Sequence, residues 1–273
     1  MVKRLKQLSL WLKSPAGIIS VLLLLLGVVL LVVDIIAETQ SLFSNVRIGF
    51  ATNLFGIVIT ISFVQHYFDR QKVQKEMREE KSMILRYNRI VCILLRKYKL
   101  LYYCMTHPIS KRKSSDRVDL QPNFKFEDLC DLHMNAVITT NDMFESNVSL
   151  FYDAEIQLRN FFITMVENVK FEHFPAIRNA IESYITLSLE NDVRGAIVGE
   201  QKKGVRYGDK NKVDTIRNDI LNESKYHWCA MYEQGKLGAN AMLPYVMLYK
   251  LMQQESLALI AYEKLLISLL GVK

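Results

Sequence analysis

Residues 16–33 read AGIISVLLLLLGVVLLVV and contain no charged side chain. A second uncharged stretch, residues 48–64, reads IGFATNLFGIVITISFV. A bilayer core of about 30 Å needs about 20 helical residues to cross it. Each stretch reaches that length with its flanks, as Pro15–Ala37 and Ser44–Phe68. The sequence therefore predicts a transmembrane hairpin of two helices.

A signal peptide followed by a buried core helix is the alternative interpretation of these two stretches. A signal peptide has a shorter apolar region and ends in a small-residue cleavage site. The first stretch is too long, and residues 34–40, DIIAETQ, offer no such site. We therefore expect an integral membrane protein.

Charge is distributed unevenly along the 273 residues, whose net charge is +7. Residues 1–33 carry +4, residues 34–47 carry −1, residues 69–113 carry +9 and residues 114–273 carry −5. The positive-inside rule then places both termini in the cytoplasm and the short loop outside. Residues 1–14 combine cations with leucines and Trp11, and are predicted to form an interfacial basic amphipathic segment.

The cations that follow the second span are predicted to form a basic belt beside the membrane. A cation close to an anionic lipid surface gains about 1 kcal/mol. Contact with nucleic acid is the alternative use of such a belt. The belt residues are Arg70, Lys72, Lys75, Arg78, Lys81, Arg86, Arg89, Lys111, Arg112 and Lys113.

The second span is expected to continue into a long basic juxtamembrane helix over residues 69–106. Apolar residues recur there in alternating steps of three and four, which is typical of a helical bundle seam. His107-Pro108 ends this helix, and residues 107–124 form a polar linker. The seam residues are Met77, Glu80, Ile84, Tyr87, Val91, Leu94, Tyr98, Leu101 and Met105.

Residues 125–273 are predicted to form a cytosolic helical domain, which makes the whole chain all-α. The segment contains no sustained period-two alternation of the kind that indicates strands. A glycine-rich loop is expected over residues 199–208. The predicted helices are Phe126–Phe144, Ser149–Val169, a helix opening at Pro175, Asp214–Tyr232 and Ala241–Leu270.

The sequence offers no catalytic centre, and we expect neither an enzyme nor a cofactor. HExxH, GxSxG and paired CxxC motifs are absent. Gly199 and Gly204 have the spacing of a phosphate loop, but Val205-Arg206 follows in place of Lys and Ser or Thr. We interpret this segment as a basic surface loop.

A few cysteine, histidine and aspartate residues could form a metal site, although a role in the core is the stronger hypothesis for them. Cys130, Asp131 and His133 lie close in sequence, and His227 with Cys229 would have to complete the coordination from elsewhere. Isolated residues of these types are more often part of a core, so we expect no metal. The four cysteines are expected to be reduced thiols, most of them buried.

Small and hydroxylated residues recur along the second span at helical spacing. Small side chains let transmembrane helices approach closely, and hydroxyls or amides can bond across them. These residues either pack against the first span, where Gly17 and Gly27 leave room, or mediate self-association. The predicted transmembrane association face consists of Gly49, Thr52, Asn53, Gly56 and Thr60.

The run ATNLFGIVIT at residues 51–60, followed by Asp69-Arg70-Gln71, resembles the second span of small bacterial two-span proteins. The general layout is similar to that of membrane effectors of anti-phage defence, including those encoded beside retrons. The resemblance implies a toxin-like inner-membrane effector that self-associates. It also implies a regulatory protein or nucleoprotein partner and no small-molecule substrate. A membrane-tethered scaffold or sensor is the alternative.

Overall fold

The structure, a computed structural model, describes residues 15–37, 42–113, 117–134, 145–190, 192–198 and 210–271. Helices account for nearly all regular secondary structure there, and those ranges contain no strand. The all-α prediction is therefore confirmed. The chain divides into two compact units, residues 1–78 and residues 79–273. The amphipathic segment expected over residues 1–14 lies outside the described residues.

The first unit contains helix α1, Pro15–Ala37, and the beginning of helix α2, Leu42–Thr106. The bounds of α1 are those predicted for the first span. By length and composition, Asn45–Thr106 is the one described helical segment able to cross a membrane, and Ile18–Val33 is a shorter apolar one.

The seam predicted along α2 faces the core of the second unit, where most of its residues are buried and Tyr87 and Leu94 are half-buried. Ile84, Val91 and Tyr98 are fully buried, and Glu80 is nearly so. Met77 is 41% exposed, so its assignment to the seam is wrong. Met77 belongs to the first unit, and the packed stretch of the seam begins one turn later, at Glu80.

Helix α2 ends at Thr106, as the following His107-Pro108 predicts, because proline disfavours helical conformation in the preceding residue. The last carbonyl groups of a helix have no partner within it. Here Arg112 donates to Cys104 O at 2.7 Å and to His107 O at 2.8 Å. Arg112 therefore caps the helix.

Replacing Arg112 with methionine is expected to lower the free energy of unfolding of the second unit by about 1–3 kcal/mol, since two charged hydrogen bonds are lost. Urea unfolding followed by circular dichroism would measure the change. The matched control is Lys170→Met, because Lys170 is exposed and makes no such contact. An equal loss in both variants would contradict the capping role.

The remaining helices enclose the core of the second unit. The predictions of helices near Ser149–Val169, from Pro175 and over most of Ala241–Leu270 are confirmed. The observed elements are α3, Asn147–Asn168; α4, Pro175–Glu190; a helical turn at residues 194–198; α5, Lys210–Leu221; α6, Glu223–Tyr226; α7, Trp228–Glu233; α8, Leu243–Leu265; 3₁₀ turns at Ile109–Lys111 and Phe126–Asp131; and a π-helical turn at Leu266–Leu270.

The α-helix predicted for Phe126–Phe144 is wrong over its described part. A 3₁₀ helix ends at Asp131, turns follow to Met134, and residues 135–144 lie outside the described residues. Phe126, Leu129 and Leu132 are all buried. This spacing of three aligns side chains on a 3₁₀ helix, with three residues per turn, better than on an α-helix.

The single helix predicted for Asp214–Tyr232 is divided into α5, α6 and α7. His227 separates α6 from α7 with a left-handed φ of 56°. The Glu223 carboxylate then accepts hydrogen bonds from the backbone N–H groups of Trp228 and Cys229, both at 3.0 Å. Glu223 thus restarts the helix after the break, as a capping side chain does.

Aromatic rings join α2, α3, α4 and α8 in the core. The Tyr98 and Phe151 ring centroids lie 5.2 Å apart, and Phe162 lies 5.5 Å from Tyr184 and 5.2 Å from Tyr262. The Tyr262 hydroxyl donates to Asn88 Oδ1 at 3.0 Å. Along α2, Asn88 comes before Tyr98, but along α8 the partner of Asn88, Tyr262, comes after the partner of Tyr98, Glu255. Helix α8 therefore runs antiparallel to α2.

Candidate functional site

The predicted transmembrane association face is exposed in the first unit. A Cβ placed on Gly49 or on Gly56 would have no atom of a described residue within 4 Å, apart from the backbone of its own helix turn. Thr52, Asn53 and Thr60 are exposed beside them. The Thr52 hydroxyl donates to Ile48 O at 2.7 Å, and the Thr60 hydroxyl donates to Gly56 O at 2.8 Å. Each threonine thus satisfies its donor locally and keeps its oxygen available as an acceptor.

A different face of α2 is buried in the first unit. Ala51, Leu54 and Val58 are buried, and a Cβ on Gly27 of α1 would lie 3.3 Å from the Phe55 ring. Successive side chains of an α-helix point in directions that differ by about 100° around the helix axis. The mean direction of the buried residues is therefore roughly opposite to that of the association face. Gly27 provides the predicted room, but it accommodates Phe55.

The basic belt is not one patch in the structure. Arg70, Lys72, Lys75 and Arg78 are exposed in the first unit, whereas Lys81 and the later belt cations belong to the second. A rise of 1.5 Å per residue separates Lys81 from Thr106 by roughly 38 Å. The cations that follow α2 therefore lie far from Lys81. Lys111 pairs with Asp128 at 2.8 Å, and Arg112 is the helix cap.

Glu80 ties the first packed turn of α2 to the loop between α3 and α4. Its carboxylate oxygens accept hydrogen bonds from His173 N, both at 3.2 Å, and Oε2 lies 2.9 Å from His173 Nδ1. The loop reaches this position through Phe171, which is buried and has a left-handed φ of 56°. Such a conformation costs about 1–2 kcal/mol outside glycine, and burial of the ring offsets it.

Replacing Glu80 with alanine is expected to lower the free energy of unfolding of the second unit by about 2–3 kcal/mol, because the His173 N–H loses a charged acceptor. In this variant, the backbone amides of residues 169–174 are expected to exchange hydrogen faster, whereas those in the core of α3 are affected less. Glu167→Ala is the matched control, since Glu167 is exposed at the end of α3. Unchanged exchange in the Glu80 variant would contradict the link.

A buried polar cluster occupies the core where α2, α3, α4 and α8 meet. The Tyr98 hydroxyl donates to Glu255 Oε2 at 2.8 Å, and Glu255 is fully buried. The Ser188 hydroxyl donates to the Glu155 carboxylate and accepts from Arg159 Nη1 at 3.0 Å. Glu255 Oε1 and the Tyr184 hydroxyl have no hydrogen-bond partner among the described residues.

The carboxyl groups of this cluster hold their protons unusually strongly. Burial raises the pKa of Glu255 well above its usual range, and the nearby Glu155 carboxylate adds to the effect. Burial also raises the pKa of Glu155, although the Ser188 hydrogen bond and Arg159 oppose this. Both tyrosines that face Glu255, Tyr98 and Tyr184, have their pKa raised well above the usual value, mainly by burial.

The residues weighed for a metal site make other contacts. His133 Nε2 lies 3.0 Å from the Tyr245 hydroxyl, and Asp131 accepts from Ile109 N at 2.8 Å. Burial raises the pKa of the Cys229 thiol to about 12. Within the described ranges no three His, Cys, Asp or Glu side chains are placed to share a metal. Residues 199–208, which are predicted to form a loop, lie outside those ranges.

All four cysteines are free thiols, as predicted. Cys104 and Cys130 are buried, Cys229 is half-buried and Cys92 is exposed, so two of the four are buried and not, as was expected, most of them. Burial raises the pKa of the Cys104 thiol, and it raises the pKa of Cys130 to about 11. A raised pKa keeps a thiol protonated and unreactive, so these two groups are structural.

Sequence reasoning missed the buried carboxyl cluster, although its signal was present. Glu155 lies between Ala154 and Leu158 on the buried stripe of α3, and Glu255 lies between Met252 and Leu259 on that of α8. A glutamate at a core position of a helical stripe is rare unless it is paired or protonated. The positions of Glu155 and Glu255 in the apolar pattern therefore could have indicated the buried cluster.

Comparison with protein-family models, with curated proteins and with solved structures finds no match for this chain.

Proposed function

We propose that this protein is a membrane-perturbing effector of bacterial anti-phage defence, inserted in the inner membrane by α1 and the first part of α2. The observation that carries the proposal is the open, hydroxylated face of α2 in an otherwise apolar stretch. Its action is physical association within the membrane and involves no catalysis. Both termini lie in the cytoplasm.

Insertion in a membrane is supported by the exposure of apolar side chains in the first unit. Only 17% of the apolar window of α2 is buried, whereas the core helix of a soluble protein would be mostly buried. Leu22, Ile36, Ile59 and Phe63 are among many large apolar side chains that are exposed. An apolar surface of this extent needs lipid or another protein to cover it.

Self-association is supported by the position of the small residues. Within the first unit they lie opposite the buried face of α2, and no described residue of that unit packs on Gly49 or Gly56. Small residues bring helix backbones into close contact, and polar atoms between transmembrane helices contribute about 0.6–2 kcal/mol each. Copies that meet along Gly49, Thr52 and Gly56 would bring hydroxyl oxygens and Asn53 amides together inside the bilayer.

Control through the cytosolic helical domain is supported by the continuity of α2. The helix that carries the association face also supplies Ile84, Val91 and Tyr98 to the core of the second unit. A regulatory protein bound to that unit, alone or within a nucleoprotein complex, would therefore restrain the same helix. Release of the partner would permit association.

The proposal is tested by measuring membrane potential with a voltage-sensitive dye in bacteria that express the chain alone. The full chain is expected to depolarise cells and arrest growth, whereas a chain that lacks residues 1–68 is not. Harmless expression of correctly inserted full chain at high level, with every partner absent, would contradict the effector function.

A tethered scaffold is the second candidate, and the exposed isoleucines Ile90 and Ile93 on the second unit favour it. In that case the apolar helices are only an anchor. Replacing residues 15–68 with an unrelated two-span anchor would then preserve function. Loss of function in a correctly folded and localised chimera would contradict the scaffold.

A further inference from the structure

The outward side of α2 in the second unit carries a stripe that the core does not use. Met83, Arg86, Ile90, Ile93 and Lys97 follow one another in steps of three and four, so they lie along one line of the helix. We call these five residues the outer stripe. Its apolar members are 43%, 47% and 70% exposed, in chain order.

The outer stripe is bordered on both sides by packed helices. Tyr87 contacts Phe161 of α3, with ring centroids 5.8 Å apart. On the other side, Asn88 accepts the hydrogen bond from Tyr262 of α8. The stripe therefore lies on the part of α2 that these two neighbours leave uncovered.

Cations surround the stripe along its length, whereas the acidic residues of α2 all precede it, the last two being Glu79 and Glu80. Residues 81–106 contain no Asp or Glu. Arg86, Arg89 and Arg96 are exposed and form no ion pair with a described residue. Lys97 donates only to the neutral Gln157 side chain, at 3.2 Å. By contrast, Lys99 is paired with Glu263 and Asp119.

This combination disfavours nucleic acid as the ligand. Contacts to the phosphate backbone are made by cations and other polar donors. Here the most exposed side chain, Ile93, lies between Arg89 and Arg96 and would be pressed against phosphate or sugar. An apolar centre with an arginine rim is instead typical of protein interfaces.

The charges also disfavour a second copy of this chain as the occupant. Copies anchored in the same membrane have parallel α2 helices, so Arg86 and Arg89 of one copy would face the same residues of the other. Like charges in contact are destabilising. The stripe therefore fits a different protein whose charges are opposite.

We propose that the outer stripe, with Arg89 and Arg96 at its rim, binds an acidic amphipathic helix of a partner protein. The inference rests on the proposed function in that it names the surface through which a regulatory partner holds the effector. Leucines or isoleucines of the partner contact Ile90 and Ile93, while its glutamates or aspartates pair with the flanking arginines. Such charge-assisted pairs add specificity to the apolar contact.

The test uses the full chain in detergent micelles and measures fluorescence anisotropy with two labelled synthetic helices. Both peptides carry the same leucine stripe, flanked in one by glutamates and in the other by lysines. A 20-base-pair RNA duplex is the third ligand. The glutamate peptide is expected to bind at least about tenfold more tightly than either alternative, a difference of 1.4 kcal/mol.

Two matched variants locate the binding surface. Ile93→Asn is expected to weaken binding of the glutamate peptide at least about tenfold. Leu257→Asn removes a similarly exposed side chain from α8 and is expected to leave affinity unchanged. Tighter binding of RNA, equal binding of both peptides, no binding of the glutamate peptide, or equal losses in the two variants would each overturn the proposal.

The same variants separate this surface from the proposed function. Ile93→Asn, expressed without a partner, is expected to depolarise cells as the unmodified chain does. The outer stripe binds the partner that restrains the effector, and it takes no part in perturbing the membrane. If the unmodified chain does not depolarise cells but binds the peptide through Ile93, the effector function fails and the docking surface stands. If the unmodified chain depolarises cells but does not bind the peptide, the effector function stands and the docking surface fails.

Discussion

Replacing Gly56 with leucine is expected to abolish most of the depolarisation caused by the full chain. Gly56 lies at the centre of the association face, where a Cβ would have no described atom within 4 Å beyond the backbone of its own helix turn. A leucine there is tolerated within one copy but holds the backbones of two copies apart. Losing about 1–2 kcal/mol of association lowers the associated population about tenfold. Dye fluorescence and growth measure the result.

Ile57→Phe is the control for this prediction. Ile57 is also exposed on α2, and it points about 100° away from Gly56. The phenylalanine adds bulk to the helix without entering the association face, so depolarisation is expected to persist. Both variants must insert to equal levels, as judged from membrane fractions. Equal relief by Ile57→Phe, or none by Gly56→Leu, would contradict association along the predicted face.

The two apolar helices and the long α2 could be predicted because their signals are local and strong. A run of 18 uncharged residues and an uninterrupted helical periodicity leave few alternatives. The choice of face was not determined in the same way. Both the small residues and the stripe of Ala51, Leu54 and Val58 are periodic, and only the structure shows that the second packs internally.

In the second unit, apolar periodicity did not predict where helices break or which distant residues make contact. Glu223 and His227 break the predicted helix Asp214–Tyr232 through one capping interaction and one left-handed residue, and no apolar period reports either. Glu80 was predicted in the seam, which is correct. Its partner His173 is 93 residues away in the sequence, so that contact required the tertiary structure.

The second unit is expected to become less stable as pH rises from 5 to 8. Glu255 is fully buried and has a raised pKa, so the folded state retains its proton where the unfolded chain, with a glutamate pKa of about 4.3, has lost it. The stabilising contribution is complete below that unfolded value and is lost as pH rises towards the folded one. The slope for one such group reaches about 1.4 kcal/mol per pH unit.

Replacing Glu255 with glutamine is expected to flatten this dependence and to stabilise the second unit at pH 8, by about 1–3 kcal/mol. The amide stays neutral and still accepts from Tyr98. Some slope is expected to remain, since Glu155 also has a raised pKa, and Glu155→Gln in addition would remove it.

Urea unfolding of the full chain in micelles, followed by circular dichroism at several pH values, measures these slopes. The exposed Glu167→Gln is the control and should unfold with the same dependence on pH as the unmodified chain. Stability that rises between pH 5 and 8, or an identical slope in the Glu255 variant, would mean that the buried carboxyl is ionised in the fold. Arg159, whose charge lowers the pKa of Glu255, would then help to stabilise the ionised carboxylate.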